Sequence, residues 1–312
     1  MRSPRETLSL ATEFWRYMTG RDYFRQPQPL GPYFSDPRCY YNDVRGKAAW
    51  SGPFRHGVPL LPEPDGSLVV SPCMVMFYGI GSVDRFLLER DSQLLQNVRA
   101  VARWLQDNVT ADSYWPTQIK EDVRHEFYSA NSAMNQGLAL SFLVKVIRHL
   151  DGADLPTAQL TALVRSVAAN MLKPAAEGGT TSRRGSDLLF LEYCRRDETV
   201  IFNGWVYAVF GLMDYVQFQV DDVAEAALEC TLKTMRTRVS NYQLPDDWSR
   251  YDDSGRICSP FYHRLHISLL DALSRLTAEP VYTDCLRRAK KADTLVNRVR
   301  YTVRKIGDKL TD

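Results

Sequence analysis

From Ser82 to the C-terminus the chain is a succession of helix-period segments with only short breaks, and several of them are apolar nearly all round. A helix that is apolar on every side has to be enclosed by other helices. In "SVDRFLLERDSQLLQNVRAVARWLQDNV" the residues Phe86, Leu87, Leu94, Val98, Val101 and Leu105 fall near one stripe. "NSAMNQGLALSFLVKVIRHL" starts on capping-type residues and runs apolar to Leu150. "TAQLTALVRSVAANML", "VIFNGWVYAVFGLMDY", "DDVAEAALECTLKTMRTRV", "YHRLHISLLDALSRLT" and the terminal "VYTDCLRRAKKADTLVNRVRYTVRKIG" continue the pattern. The fold class that meets this demand is mainly α, an (α/α) barrel-like toroid of helix pairs in which outer helices shield inner ones. No repeat of fixed period underlies it.

Residues 1–80 have another character. "QPQPLGPYFSDPRCYYNDVRGKAAWSGPFRHGVPLLPEPDGSLVVSP" is dense in breakers, which rules out long helices between about Gln26 and Pro72. "EPDGSLVV" reads as a turn leading into a short strand, so a β-hairpin or ordered arm is expected there. The expected organisation is an arm over 1–80 and a catalytic domain over 81–312 that ends in a basic helix. With 45% apolar residues the chain has ample material for a core, and a net charge of +2 gives no reason to invoke nucleic acid. The N-terminus shows no secretory apolar run. The most apolar stretch, "VIFNGWVYAVFGLM", falls short of the roughly 18–20 residues of a spanning helix. Six dispersed cysteines without a CxxC pair suit reduced thiols in a cytoplasmic protein. There is no HExxH and no phosphate-binding loop, and "GIGSVD" at residue 79 reads as a turn before a helix, lacking the βαβ unit of a dinucleotide fold. Neither a metal nor a cofactor is implied.

Polar groups interrupt apolar surroundings at three places: "FLEYC" with Glu192 and Tyr193, "DDWSRYDD" with Arg250 and Tyr251, and "FYHRLHISLL" with Tyr262, His263, Arg264 and His266. On a helix Tyr262 and His266 share a face, while His263 and Arg264 lie well round from it. Packing residues with satisfied polar tips would give the same pattern. Three tyrosine-bearing clusters on segments able to face one cavity tilt the reading toward a site.

These clusters, in this order from about Ser129 to Lys290, resemble the C-terminal domain of the D-glucuronyl C5-epimerases. "SAMNQGLALSFLVKVI" is similar to that family's Gln-Gly helix start, carrying Gln136. "FLEYCRRDETVIFNGWVYAVFGLMDY" resembles its Glu-Tyr block and the Asn-Gly helix after it, carrying Asn203. "WSRYDD" and "YHRLHISLLDAL" resemble its Ser-x-Tyr-Asp and Tyr-His-x-x-His-Ile segments. The sequence departs from the pattern at Leu191, Cys194 and Phe261, and at Ala130–Asn131, where Phe127 and Tyr128 lie upstream of the expected aromatic pair. The resemblance implies an (α/α) fold and inversion at C5 of a uronic acid, D-glucuronate to L-iduronate type, in a polysaccharide or lipid-linked glycan. The implied acid/base groups are Tyr193, Tyr251 and Tyr262 with Glu192 beside the first. Gln136, Asn203, Arg250, His263, Arg264 and His266 are the candidates for holding substrate.

The chemistry explains the residue types. Taking the C5 proton builds a second negative charge on a carboxylate, which calls for cations or hydrogen-bond donors at that group. Inversion needs proton carriers on both faces of the ring. A tyrosine serves if a neighbouring Arg or protonated His favours its phenolate; Arg250, Arg264, His263 and His266 are the candidates, and spacing leaves open which of them points inward. Glu192 could instead be the base, partnered by Tyr193. In this reading the last helix pair starts at a cavity rim, offering Tyr262 while later turns bury Ile267, Leu269 and Leu270. Two other readings share these residues: a polyuronate lyase that expels the C4 group, and a glycan-binding relative without catalysis. The nine Lys or Arg against three Asp from Leu286 onward form a solvated face, or else attract an acidic glycan or an anionic membrane at its inner face. A homodimer is compatible with all of this.

Overall fold

The computed structural model describes residues 26–62, 66–120, 127–150, 154–194 and 198–311. The chain divides into two compact units, a larger one over Gly31–Met235 and a smaller one joining residues up to Leu30 to Arg236–Asp312. The fold is mainly α, with nine helices among the described residues and four two-stranded antiparallel hairpins.

The larger unit is built from helix pairs. Helices α1 (Pro72–Glu89), α3 (Ala133–His149) and α5 (Phe202–Phe218) form its inner layer, with α3 packed against both of the others. Helices α2 (Ser92–Asn108) and α4 (Thr157–Met171) back α1 and α3. This is the expected (α/α) pairing, and it explains why the inner segments are apolar all round. Two glycines set the closest approach. A Cβ on Gly137 would clash with the backbone of Tyr207 and Ala208, and one on Gly211 with the backbone of Gly137. After α5 the chain continues into α6 (Asp222–Arg238).

Four hairpins fill the loops. They are β1 (Phe54–Arg55) with β2 (Val58–Pro59), β3 (Leu61–Pro62) with β4 (Leu68–Val69), β5 (Thr117–Lys120) with β6 (Phe127–Ala130), and β7 (Thr181–Arg184) with β8 (Asp187–Phe190). The strand expected from "EPDGSLVV" is β4, although residues 63–65 of its turn lie outside the described residues. Phe127 and Tyr128 belong to β6, and their side chains lie outside the described set, as do residues 1–25 of the expected arm.

Between residues 31 and 49 the chain is pinned to the inner helices by buried polar contacts. Asp84 accepts the Tyr40 amide at 3.0 Å, the Tyr41 hydroxyl donates to Asp214 at 2.6 Å, and Tyr207 donates to Asn42 at 2.7 Å. Lys145 donates to the carbonyls of Arg38 and Cys39. Burial pushes the Asp84 carboxyl up to about 7 and raises that of Asp214.

In the smaller unit α7 (Pro260–Thr277) packs on α8 (Pro280–Ala292), and α9 (Leu295–Thr311) closes on both the loop before α7 and the helix itself. Its core is a stack of rings. Trp248 lies flat against His263 at 3.8 Å on one side and Tyr301 at 4.6 Å on the other, and its indole N–H donates to the Cys258 carbonyl.

Three local expectations are corrected. The first helical segment begins at Pro72, ten residues before Ser82, and is two helices: Arg90 turns left-handed (φ 59°) and Asp91 caps the second by accepting the Gln93 amide. "GIGSVD" lies inside α1, and its glycines serve packing. A Cβ on Gly79 would meet Phe142 and Val101 at 2.8 Å, and one on Gly81 the Val44 carbonyl. The basic C-terminal stretch is likewise two helices, broken at Asp293–Thr294.

Candidate functional site

Each unit holds part of the expected constellation. In the smaller unit the segment Gln243–Cys258 is folded on itself by the isolated bridges Gln243–Ser249 and Arg250–Ile257. Asp252, wholly buried, ties the tip: it accepts the Ser254 amide and hydroxyl and the Arg256 amide, and pairs with the Arg256 guanidinium. Gly255 takes φ 98°, the left-handed region a side chain resists, which closes the turn. Tyr251 is held by its own amide, which donates to the Arg256 carbonyl at 2.6 Å.

Helix α7 supplies the second tyrosine. Ser259 caps its N-terminus, Pro260 occupies the first turn where no amide is needed, and Tyr262 stands half-buried in that turn. The rings of Tyr251 and Tyr262 meet edge to face at 4.8 Å. Two cations lie over the Tyr251 ring: the Arg256 guanidinium at 5.4 Å and the Lys305 ammonium at 5.9 Å. Lys305, on α9, also donates to the Ile257 carbonyl at 3.0 Å, which fixes its position. The ring face attracts both charges, each such contact being worth about 0.5–2 kcal/mol. Two phenol rings are thus in contact, with two cations over the first of them.

The residues expected to supply that positive charge are placed differently. His263 is wholly buried against Trp248. Its Nδ1 accepts from Ser249 at 2.8 Å from the hydroxyl and 3.2 Å from the amide, and its Nε2 lies 3.2 Å from the Ala289 carbonyl. Both ring nitrogens are committed, so a core role replaces the expected substrate contact. His266, also buried, has its ring 3.8 Å from the Cys258 sulfur. Burial pushes His263 down to about 4 and His266 down to about 3, which removes the expected protonated imidazole at neutral pH. Arg264 donates from Nε to Pro260 at 3.3 Å. It lines a cavity of about 280 Å³ with Phe261, Leu265, Ser268 and Lys290, and Tyr262 is not part of that lining. Ile267 is half-buried in the same cavity, unlike Leu269 and Leu270. Arg250 keeps its Nε buried without a protein partner.

In the larger unit the segment Leu191–Cys194 runs beside the start of α3. The Leu191 carbonyl accepts the Ala133 amide at 2.9 Å, the Cys194 amide donates to Asn131, and the Cys194 thiol donates to Gly179. This holds Glu192 at the N-terminus of α5, where a carboxylate is favoured by the helix dipole. Asn203 donates to its Oε2 at 3.2 Å, and a Cβ on Gly204 would collide with the same carboxylate. The Asn-Gly pair in "IFNGW" thus exists to let Glu192 approach the helix end. The Asn203 Oδ1 is buried with no partner among the described residues, and Tyr193 beside Glu192 is half-buried. Gln136 is enclosed one turn inside α3. Its amide nitrogen donates to Asn131 and to Asn170 at 3.0 Å, while its Oε1 has no protein partner. That amide network holds the turn at Gly178, which accepts from Asn131 at 2.9 Å.

The structure therefore brings together Tyr251 with Tyr262 in one unit, and Glu192 with Asn203 in the other. It adds Arg256 and Lys305, which sequence reasoning missed. Arg256 carried a readable signal, the turn-forming "DDSGR"; Lys305 carried none.

The family model described as D-glucuronyl C5-epimerase C-terminus matches residues 114–291, more than half of the chain. No curated protein matches it in sequence. Among solved structures, the chain is similar to the cellobiose 2-epimerase of Bacillus thermoamylovorans B4167, with 8% identity over 70% of this chain and 58% of that one and a TM-score of 0.49. It is also similar to the unsaturated glucuronyl hydrolase of Bacillus sp. GL1, with 13% identity over 70% of this chain and 60% of that one and a TM-score of 0.45. The chain thus spans about three fifths of the length of these two proteins. By the family match, which takes in Glu192 and all three expected tyrosines, the chain belongs to the family of the D-glucuronyl C5-epimerase C-terminal domain.

Proposed function

We propose that the chain inverts C5 of a uronic acid residue, D-glucuronate to L-iduronate type, within an acidic polysaccharide or lipid-linked glycan. The observation that supports this reading is the contact of Tyr251 with Tyr262 beneath Arg256 and Lys305, inside the span the family model matches. The phenol of Tyr262 takes or returns the C5 proton, with Tyr251 as its relay. The two cations oppose the charge that grows on the substrate carboxylate as it becomes enediolate-like. Inversion also needs a second proton carrier, and Glu192 and Tyr193 are further acid/base candidates that the family likeness supplies.

The test is C5 labelling of a glucuronate polymer in deuterated water, read by NMR. The parent chain is expected to incorporate deuterium at C5 and yield both epimers. Tyr262→Phe should keep its fold and lose about 10²–10⁴-fold in exchange, the range of general acid–base catalysis. Undiminished exchange in that variant would reject the role. Glu192→Gln and Tyr193→Phe, each assayed alone, test whether either group carries the second proton. An unsaturated uronide with new ultraviolet absorbance would mean elimination instead of epimerisation.

The partner in this proposal is the acidic glycan, met in the cytoplasm where lipid-linked chains are assembled, and no helix among the described residues is long and apolar enough to cross a membrane. Truncating the basic tail cannot test its part, because Tyr301 of α9 belongs to the Trp248 stack. Charge removal at exposed Arg304 can, through the salt dependence of binding.

A further inference from the structure

A second place in the larger unit has the chemistry of a sugar subsite. A cleft of about 380 Å³ is lined by Arg55, His56, Trp104, Asn108, Trp115 and neighbouring aliphatic residues. Its shape is fixed from below: Trp115 is fully buried, with its indole N–H donating to the Leu105 carbonyl at 3.1 Å. Trp104 is half-buried at the wall, and its carbonyl accepts from Asn108 at 2.9 Å. The rim is the turn of the β1–β2 hairpin. His56 and Gly57 both take positive φ there (51° and 79°), and the turn sits so close to α2 that a Cβ on Gly57 would lie 2.6 Å from that of Ala100. The hairpin is therefore seated on the helix that carries Trp104, with Arg55 and His56 held exposed above the indole.

We infer that this cleft binds a sugar unit of an acidic glycan. The half-buried indole of Trp104 offers flat apolar surface to the C–H face of a pyranose ring, and the buried Trp115 fixes the floor beneath it. The guanidinium of Arg55 is a fixed positive charge among the lining residues, with no carboxylate beside it in the lining, which favours an anionic sugar over a neutral one. Arg55 is exposed, and its planar fork suits a carboxylate. The inference rests on the epimerase reading for its polymer substrate, but its binding test does not depend on turnover.

The experiment is calorimetric titration of the full chain with a hexasaccharide of alternating glucuronate and N-acetylglucosamine, against neutral chitohexaose. The acidic probe should bind the parent at least tenfold more tightly than the neutral one, and its affinity should fall with added salt. Trp104→Ala should weaken it about tenfold, and the double variant Arg55→Ala with His56→Ala by a similar factor with little effect on the neutral probe. Should Trp104→Ala fail to fold, the double variant at exposed positions carries the test alone. Absence of binding to the acidic probe, equal affinity for both probes, or unchanged affinity in the double variant would overturn the subsite. Binding with the expected dependences but no C5 exchange would leave the subsite standing and reject the epimerase reading.

Discussion

Lys305 shows how a residue without any local signature can reach a candidate site. It comes from the last helix, reaches the ring of Tyr251 and is locked there by the Ile257 carbonyl. If it steadies the charge of the reacting carboxylate, Lys305→Met should lower kcat about tenfold, in line with a partly desolvated cation contact. KM should move much less, and thermal melting should show the fold retained. The segments carrying Tyr193, Tyr251 and Tyr262 could be singled out because each is a short motif whose order along the chain is distinctive. The histidines were misread for a physical reason. Titratable chemistry in a sequence looks the same whether it faces a substrate or stacks on a buried indole. Only the fold shows that His263 spends both nitrogens on Ser249 and Ala289. His263→Ala should therefore act on stability, costing about 3 kcal/mol through the lost stack and the buried groups left unpaired, as read by urea unfolding.

Among the elements, the inner helices were readable from their all-round apolarity, and the outer ones from their stripes. What the pattern hid was glycine's second use. Counted as a breaker it suggests a turn at "GIGSVD", whereas in α1 the missing side chains admit Phe142, Val101 and the Val44 carbonyl. The breaks at Arg90–Asp91 and Asp293–Thr294 escaped notice because apolar periodicity continues across them. The α3–α5 contact makes the glycine argument testable. Gly137→Ala gains about 1 kcal/mol of helix propensity but places a methyl group on the Tyr207 backbone, which cannot retreat. The expected net result is a loss of about 1–3 kcal/mol, measured by chemical denaturation.

For the molecule as a whole, buried ionisable groups in both units set how stability depends on pH. His263 and His266 have folded values pushed down to about 4 and about 3 from 6.5. Between about pH 4 and 6.5 the unfolded rings therefore hold protons that the folded ones refuse, and stability falls as pH falls. Asp84 works the other way. Its folded value is raised to about 7, so from about pH 4 to 7 the native state keeps a proton that the unfolded chain has released. Asp84 thus offsets part of the histidines' acid sensitivity. Asp84→Asn, which can still accept the Tyr40 amide, should steepen the loss of stability between about pH 4.5 and 6. The expected change is about 1.4 kcal/mol per pH unit, the linkage of one proton, from urea midpoints across that range.

The three-ring stack at Trp248 has an optical consequence. The chain holds six tryptophans, and this indole is sandwiched between an imidazole and a phenol at van der Waals distance. Contact with those rings should keep its emission dim in the native state. Unstacking would then light it up, so a single-tryptophan version retaining only Trp248 should report the opening of the smaller unit as a rise in fluorescence, independently of what the rest of the chain is doing.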